Sequence, residues 1–292
     1  MNAATPRTYP AIVHGLDIEA YHAGEELSKT GLDDLARSPE IFRALRAPGA
    51  PARPRTAAQL HGHLGHCAIL EHAEFAKRYS VHPCMNRNTK AWHAIEAAAA
   101  PGVQPIQQDQ YDTAMSQRDS VLNLTNVYGS LSMAEILEHG WAEPSAYWVD
   151  EETGVRCRCR PDFVHPLNNR QAILVDVKTF GDAGPREFSK QVSRMRYHVQ
   201  DAFYSEGFAH AAGLEVVAFI FVVVEDKFPN ASASYQLGND SRYEGHIEVR
   251  RLLDVYAECE RTGVWPGYAR QTTVVDMPAY ALTSQEIEIS YA

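Results

Sequence analysis

Several things are missing from this sequence, and each absence narrows the reading. No stretch of 18 apolar residues occurs in the 292, so no membrane-spanning helix is expected. Cysteine is scarce: Cys67, Cys84, Cys157, Cys159 and Cys259 are an odd five, with no C-x-x-C pair among them. That gives a disulfide framework, a zinc ribbon or a cysteine-held iron–sulfur cluster little footing and suits reduced thiols. Basic residues are outnumbered, 27 Lys and Arg against 37 Asp and Glu, for a net charge of −10. A protein coated in nucleic acid is not what this balance predicts. A local basic groove would still attract phosphate, because the local potential does the attracting. A Walker A loop, a dinucleotide fingerprint and a nucleophile elbow are all lacking, which argues against ATPase, helicase-motor, dehydrogenase and serine-hydrolase chemistry. The N-terminus, "MNAATPRTYPAIVHGLD", has no charged-then-apolar leader pattern, so a cytoplasmic protein without membrane attachment is expected. No internal repeat occurs.

What remains is an ordinary globular composition, 45% apolar and 22% charged. The length favours one domain with insertions. Residues 1–56 read as a helical and irregular N-terminal extension, 57–280 as the core and 281–292 as a tail. Within the extension, 28–47 reads as one or two short helices with Ser28 or Thr30 as N-cap and a break at Pro39. The Pro/Gly/Arg-rich 47–56 is a candidate hinge. Helical spacing continues over 57–76, 89–100 and 108–139, with a polar loop at 80–92. Near Trp141 the character changes. Residues 145–150 and 155–164 read as a β-hairpin around an "ETG" turn. A strand follows at 172–180, a helix at 186–212, a buried strand at 215–226, an edge strand at 231–237 and a helix at 241–262. Helices followed by β-β-β-α-β-(β)-α describe an α/β core sheet flanked by helices, with a helical N-terminal elaboration.

Basic residues cluster three times: Arg37, Arg43, Arg46, Arg53 and Arg55; Arg156, Arg158 and Arg160; and Arg186, Lys190, Arg194 and Arg196. In "VRCRCR" (155–160) strand alternation sets Cys157 and Cys159 on one face and the three arginines on the other. This predicts buried thiols behind an exposed basic ridge.

The most informative stretch is "ILVDVKTF" (173–180). It reads as a core strand, yet it carries Asp176 and Lys178 on one face, two residues apart. Asp162, just after Pro161, approaches Asp176 if the flanking strands pair. Two carboxylates at a sheet edge, with a backbone carbonyl such as that of Val177, make a hard oxygen site suited to Mg²⁺ or Mn²⁺ rather than zinc. A lysine beside them can orient a water or stabilise charge developing on phosphate. An isolated D-x-K is more often a plain ion pair; the upstream P-D across a turn shifts the reading towards function.

The "RPD" and "DVKT" pair resembles the PD-(D/E)-x-K nuclease signature. "LHGHLGHCAILEHAEF" (60–75) resembles the G-x-x-x-H-x-x-x-L-E motif of the RecB-type branch, and "RYHVQDAFYSEGF" (196–208) its Q-x-x-x-Y helix. The wording is most similar to the nuclease domains of RecE-type exodeoxyribonucleases over residues 15–280. "PLNNRQ" stands as a local insertion, and the long N-terminal region of the RecE type is lacking, so the chain reads as a free-standing nuclease domain. The resemblance implies a restriction-endonuclease-like fold and a role for each matching residue. His66 becomes a metal ligand or a ligand's neighbour. Asp162, Asp176 and the Val177 carbonyl hold one or two Mg²⁺ or Mn²⁺. Lys178 handles the attacking water or the charged transition state, and Gln200 and Tyr204, four apart on one helical face, support the site or touch the DNA backbone. Arg156, Arg158, Arg160, Arg194 and Arg196 become phosphate contacts. Glu143 is an auxiliary acid at most. His63 and His66 share a helical face, whereas His61 lies roughly 200° from His63, so three ligands from this helix are not expected. His198, Tyr197, Phe203 and Phe208 read as ordinary packing.

The activity implied is Mg²⁺-dependent 5′-to-3′ digestion of double-stranded DNA ends, leaving 3′ overhangs for phage-type recombination. A ring-shaped homo-oligomer and a RecT-like annealing partner are implied with it. An endonuclease or other-polarity nuclease of the same fold, and a non-catalytic DNA-end-binding protein, stay open.

Overall fold

The computed structural model describes residues 8–51 and 57–277, and only the backbone of 57–61. Arg53, Arg55, most of the expected hinge and the 281–292 tail lie outside the described residues, as does the His61 side chain. The elements run β1 (Ala11–Val13), α1 (Ile18–His22), α2 (Lys29–Arg37), α3 (Pro39–Arg46), α4 (Ala57–Leu70), α5 (His72–Arg78), β2 (Tyr79–His82), α6 (Lys90–Ala98), β3 (Gln104–Gln107), α7 (Gln108–Leu122) and α8 (Met133–Glu138). They continue with β4 (Trp141–Ala142), β5 (Ser145–Val149), β6 (Arg156–Cys159), β7 (Phe163–Pro166), β8 (Gln171–Phe180), α9 (Pro185–Arg194), α10 (Tyr197–Ala212), β9 (Glu215–Glu225), β10 (Ser232–Tyr235) and α11 (Asn239–Thr262). This is the α/β architecture expected. Among the described residues, no helix is long and apolar enough to cross a membrane.

The central sheet has the order β10-β9-β8-β7-β4, with β8 and β9 parallel and the other neighbours antiparallel. Strands β8 and β9 are apolar on both faces, as strands covered on both sides must be. Leu174, Phe219, Phe221 and Val223 meet Val199, Ala202 and Phe203 of α10 in one core. Ile173, Val175, Val177, Ile220 and Val222 meet Val121, Met133 and Ile136 from α7 and α8 in the other. Leu27, Leu32, Leu35 and Phe42, from the first 51 residues, belong to the α10-side core. Helix α11 closes on α10 through Gly245, where a Cβ would stand 2.2 Å from the His198 carbonyl oxygen.

Four expected elements divide. The 57–76 helix is interrupted at Glu71 between α4 and α5. The 155–164 strand becomes β6, in a three-stranded sheet with β5 and β1, and β7, in the central sheet. Pro161 lies between them; without an N–H it cannot continue a ladder, and the chain changes sheets there. The 186–212 helix breaks at Met195–Arg196, where Arg196 takes the left-handed conformation with φ 56°. The 108–139 helix divides into α7 and α8, with the capping box of Ser132 and Glu135 starting the second. Strands β1, β2, β3 and β4 and helix α1 are additions to the expected list, all of them five residues or fewer.

The basic ridge is half corrected. Cys157 and Cys159 are buried as expected, but Arg158 and Arg160 are buried too, at 6% and 9% exposure. Arg158 donates to the carbonyls of Tyr21 and His22 and faces Glu26 at 3.7 Å. Arg160 donates to Ser145 Oγ and to the Leu16 carbonyl, each at 2.9 Å. Both guanidiniums stack on the Tyr21 ring, at 4.9 and 4.4 Å. These two arginines hold residues 16–26 against the sheet, which removes them from the expected phosphate contacts.

Two outcomes follow from buried charge. Arg158→Ala, which takes the buried guanidinium away from Glu26 and from the Tyr21 and His22 carbonyls, is expected to cost roughly 3 kcal/mol in urea unfolding and to speed hydrogen exchange over residues 16–27. Asp201 in α10 is 2% exposed, and burial pushes its carboxyl up to about 6 against help from Arg242 and a Ser205 hydrogen bond. Its ionisation therefore costs the fold stability as pH rises from about 4 to about 6, the raised-pKa case in which stability is present at low pH. Asp201→Asn is expected to gain on the order of 2–3 kcal/mol at pH 8 and almost nothing at pH 4, read as the variant-minus-wild-type difference in unfolding free energy.

Candidate active site

The β7–β8 pairing matches Phe163 with Val175 and Val164 with Leu174. Asp162, one residue before β7, is thereby brought opposite Asp176. Its Oδ2 accepts the Val177 N–H at 2.7 Å, a bond that fixes the carboxylate at the strand end. Asp176 is 2% exposed. Gln200 of α10 donates its amide to Asp176 Oδ1 and accepts from Lys178 Nζ through Oε1 at 3.1 Å. Lys178 Nζ pairs with Asp176 Oδ2 at 2.5 Å, so the lysine occupies that buried oxygen. The order of Asp162, Asp176, Lys178 and Gln200 around one point follows from strand register and from α10 crossing that face of β8.

His66 comes from α4 on the other side. Its Nε2 is 2.7 Å from the Val177 carbonyl and its Nδ1 is 3.6 Å from Asp162 Oδ2. A carbonyl only accepts, so Nε2 carries a proton. In the neutral ring Nδ1 then turns a lone pair towards a carboxylate, two acceptors facing across a gap too long for a hydrogen bond. The Val177 carbonyl keeps its second lone pair.

The electrostatics carry the same message. The Asp162 carboxyl is pushed up by burial and by the nearby Asp176 carboxylate, with His66 and Lys178 pulling the other way. Lys178 is pushed up: burial opposes its charge, but Asp176 and Asp162 outweigh burial together. The site lacks positive charge. Two hard carboxylates, a carbonyl oxygen and an imidazole nitrogen beside one carboxylate fit a hard divalent cation. Among the described residues, no three His, Cys, Asp or Glu side chains converge into a complete cage. The donor set thus suits an ion that keeps water or takes phosphate oxygens as further ligands.

The other expected residues are distributed as follows. Tyr204 packs beside Phe203 and Phe219. Burial pushes its phenol far up, and Asp176 and Asp162 add to that, so it stays a neutral wall of the site. Arg196 is tied to Asp33 at 3.1 Å and Glu248 at 3.0 Å. Arg156 is exposed and 3.8 Å from Glu25, and Arg194 is exposed. Glu143 gives its N–H to the Asp162 carbonyl, and its carboxylate lies 3.8 Å from Arg160. Two residues were missed. The Tyr197 ring lies 4.7 Å from Lys178 Nζ. Lys29 of α2 bonds the Met195 carbonyl at 2.8 Å and pairs with Asp33 at 2.7 Å; burial pushes its ammonium down and Lys178 adds to that. The i, i+3 spacing of Tyr197 and Gln200 could have signalled the first; nothing local signals the second.

This strand-register pair of aspartates with a lysine two residues on is the site of the PD-(D/E)-x-K class of folds. The chain belongs to the family described as the PDDEXK-like domain of unknown function (DUF3799), whose model matches residues 28–278. Its fold is similar to that of a Eubacterium rectale protein whose crystal structure is named "Putative exonuclease": TM-score 0.58 at 13% identity, over 90% of this chain and 95% of that one. No curated protein matches the chain.

Asp162→Asn removes one of two repelling carboxylates, the half-buried one, while keeping an acceptor for the Val177 N–H. In EDTA at pH 8 it is expected to raise Tm by roughly 2–6 °C. The gain shrinks as pH falls through the raised Asp162 pKa, because the wild-type carboxyl then takes up its own proton. Scanning calorimetry at pH 8 and pH 5 checks this.

Proposed function

We propose that the protein is a divalent-metal-dependent deoxyribonuclease, and specifically a RecE-type exonuclease that digests duplex ends 5′-to-3′ and leaves 3′ overhangs. The observation that carries the nuclease reading is the Asp162/Asp176 pair facing across β7–β8, with Lys178 two residues on and joined to Asp176 through Gln200. The direction of digestion rests on the motif resemblance to the RecE type. The ring-shaped homo-oligomer, the RecT-like annealing partner and the place in phage-type recombination rest on it too.

When bound, Mg²⁺ or Mn²⁺ would supply Lewis acidity and a water of lowered pKa, and Asp162, Asp176, His66 and the Val177 carbonyl are the groups that would hold it. The chain's own contribution is positional. Asp162 is locked by the Val177 N–H, and Asp176 by Gln200. Lys178, kept charged by the carboxylates around it, is placed to neutralise a phosphate oxygen or to align a water for attack. Its side chain keeps 19% of its surface and His66 27%, so both face the entrance, while Asp176 at 3% forms the floor. Exposed Arg194 and Arg156 remain available to phosphates further along a bound strand.

The test is digestion of linear duplex DNA labelled separately at its 5′ and 3′ ends, with Mg²⁺, Mn²⁺ or EDTA, beside a covalently closed circle. The expected result is metal-dependent early loss of the 5′ label, an intact circle, and a fall of roughly 100-fold or more in Asp176→Ala. Cleavage of the circle would replace the exonuclease by an endonuclease. No cleavage with any divalent metal would leave a DNA-end-binding relative of the fold.

A further inference from the structure

The Lys178 ammonium has three donors, and among the described residues two polar side chains lie within bonding distance of it: Asp176 at 2.5 Å and Gln200 at 3.1 Å. The third is the face of the Tyr197 ring, 4.7 Å from Nζ at the centroid, within the range of a cation–π contact. The ring is 7% exposed and fixed from behind. It stacks on Phe221 at 5.4 Å and on Phe188 at 6.2 Å, each at 27°. Phe221 is the residue that pairs with Asp176 in β9. Tyr197 is the first residue of α10, immediately after the left-handed Arg196. A non-glycine residue pays for that conformation, and three contacts hold this one: Asp33 and Glu248 on the Arg196 guanidinium, and Lys29 on the Met195 carbonyl. The break between α9 and α10 thus aims one aromatic face at the lysine.

A phosphate arriving at Lys178 competes with the Asp176 carboxylate for the ammonium. A third carboxylate in place of the ring would compete as well and would add negative charge to a site already short of positive charge. A π face attracts the cation without either effect. We infer that Tyr197 is a positioning residue for the chemical step: its ring face holds the Lys178 ammonium in place while Asp176 gives it up to substrate. This rests on the nuclease reading of the site.

The experiment has two arms. In metal-free protein carrying ¹³C,¹⁵N-lysine, the ε-methylene protons of Lys178, assigned by their loss in Lys178→Arg, should be ring-current shifted upfield in the wild type and return to the ordinary lysine position in Tyr197→Leu. In the cleavage assay, Tyr197→Phe is the parent of a series in which that ring carries one, two and three fluorines, which drains the π face at nearly constant shape. The kcat should fall stepwise along the series, about tenfold in all, with KM within twofold, and Tyr197→Phe should retain several-fold more kcat than Tyr197→Leu. The isosteric series decides the matter even if Tyr197→Leu does not fold. A flat series from an active enzyme, or no ring-current shift, would overturn the proposal alone. A wild type that cleaves no DNA but keeps the ring-current shift would overturn the nuclease reading, and the catalytic role of Tyr197 with it.

Discussion

Two carboxylates set opposite one another in a sheet interior repel, and much of the surrounding structure exists to hold them there. Asp162 is tied to the next strand by the Val177 N–H, and Asp176 to α10 by Gln200. Lys178 supplies one positive charge against the two negative ones, and the remaining deficit appears as the raised Asp162 pKa. A fold selected for stability alone would not carry this arrangement, since burying like charges together costs free energy that packing elsewhere must offset. Perturbation of this kind, in a sheet end open on one side, marks a site built for a ligand of opposite charge.

The same need explains why so many elements converge at this sheet end. β7 must stop being β6 at Pro161 so that Asp162 can turn towards β8. α4 must approach from the far face so that His66 reaches the Val177 carbonyl. α10 must start afresh at Tyr197 rather than continue α9, so that Tyr197 and Gln200 both fall on Lys178. Each of these is a local break in regular structure, and each places a side chain on one point. The N-terminal segment, clamped by Arg158 and Arg160, covers the neighbouring sheet and leaves the site itself open.

The site was more legible in the sequence than the elements around it. Asp162, Asp176 and Lys178 betray themselves because charge in an apolar strand needs a reason, and period-two alternation already assigns the face. Gln200 and Tyr204 come from the resemblance to the Q-x-x-x-Y motif, with helical spacing placing them on one face. The breaks were not legible: the α9–α10 corner has no glycine or proline, only an arginine forced into the left-handed region by contacts with Asp33 and Glu248, residues 163 and 52 positions away. The arginines of "RCRCR" misled for a related reason. Alternation correctly separates them from the cysteines, but it says nothing of what covers their face. Tyr21, Glu26 and the carbonyls of 16–22 cover it, and no local pattern announces that.

An acidic chain that acts on a polyanion needs its attraction to be local and conditional. The carboxylate pair makes it so. With the carboxylates uncompensated, the site's potential opposes a phosphate; a divalent cation held by Asp162 and Asp176 would reverse that balance and leave Lys178 less occupied with Asp176. Cation and phosphate would then be linked ligands, each binding more tightly in the presence of the other by the same factor. Such linkage makes a net charge of −10 compatible with a nuclease. Long-range repulsion limits indiscriminate contact with nucleic acid, which falls away within about a Debye length at physiological salt. At the sheet end, Lys178 and Lys29, close enough to influence one another, act at closer range than that. The acid and the base in one core strand read as one device: the acids would hold a cation, and the base would be free to meet phosphate once the cation was there.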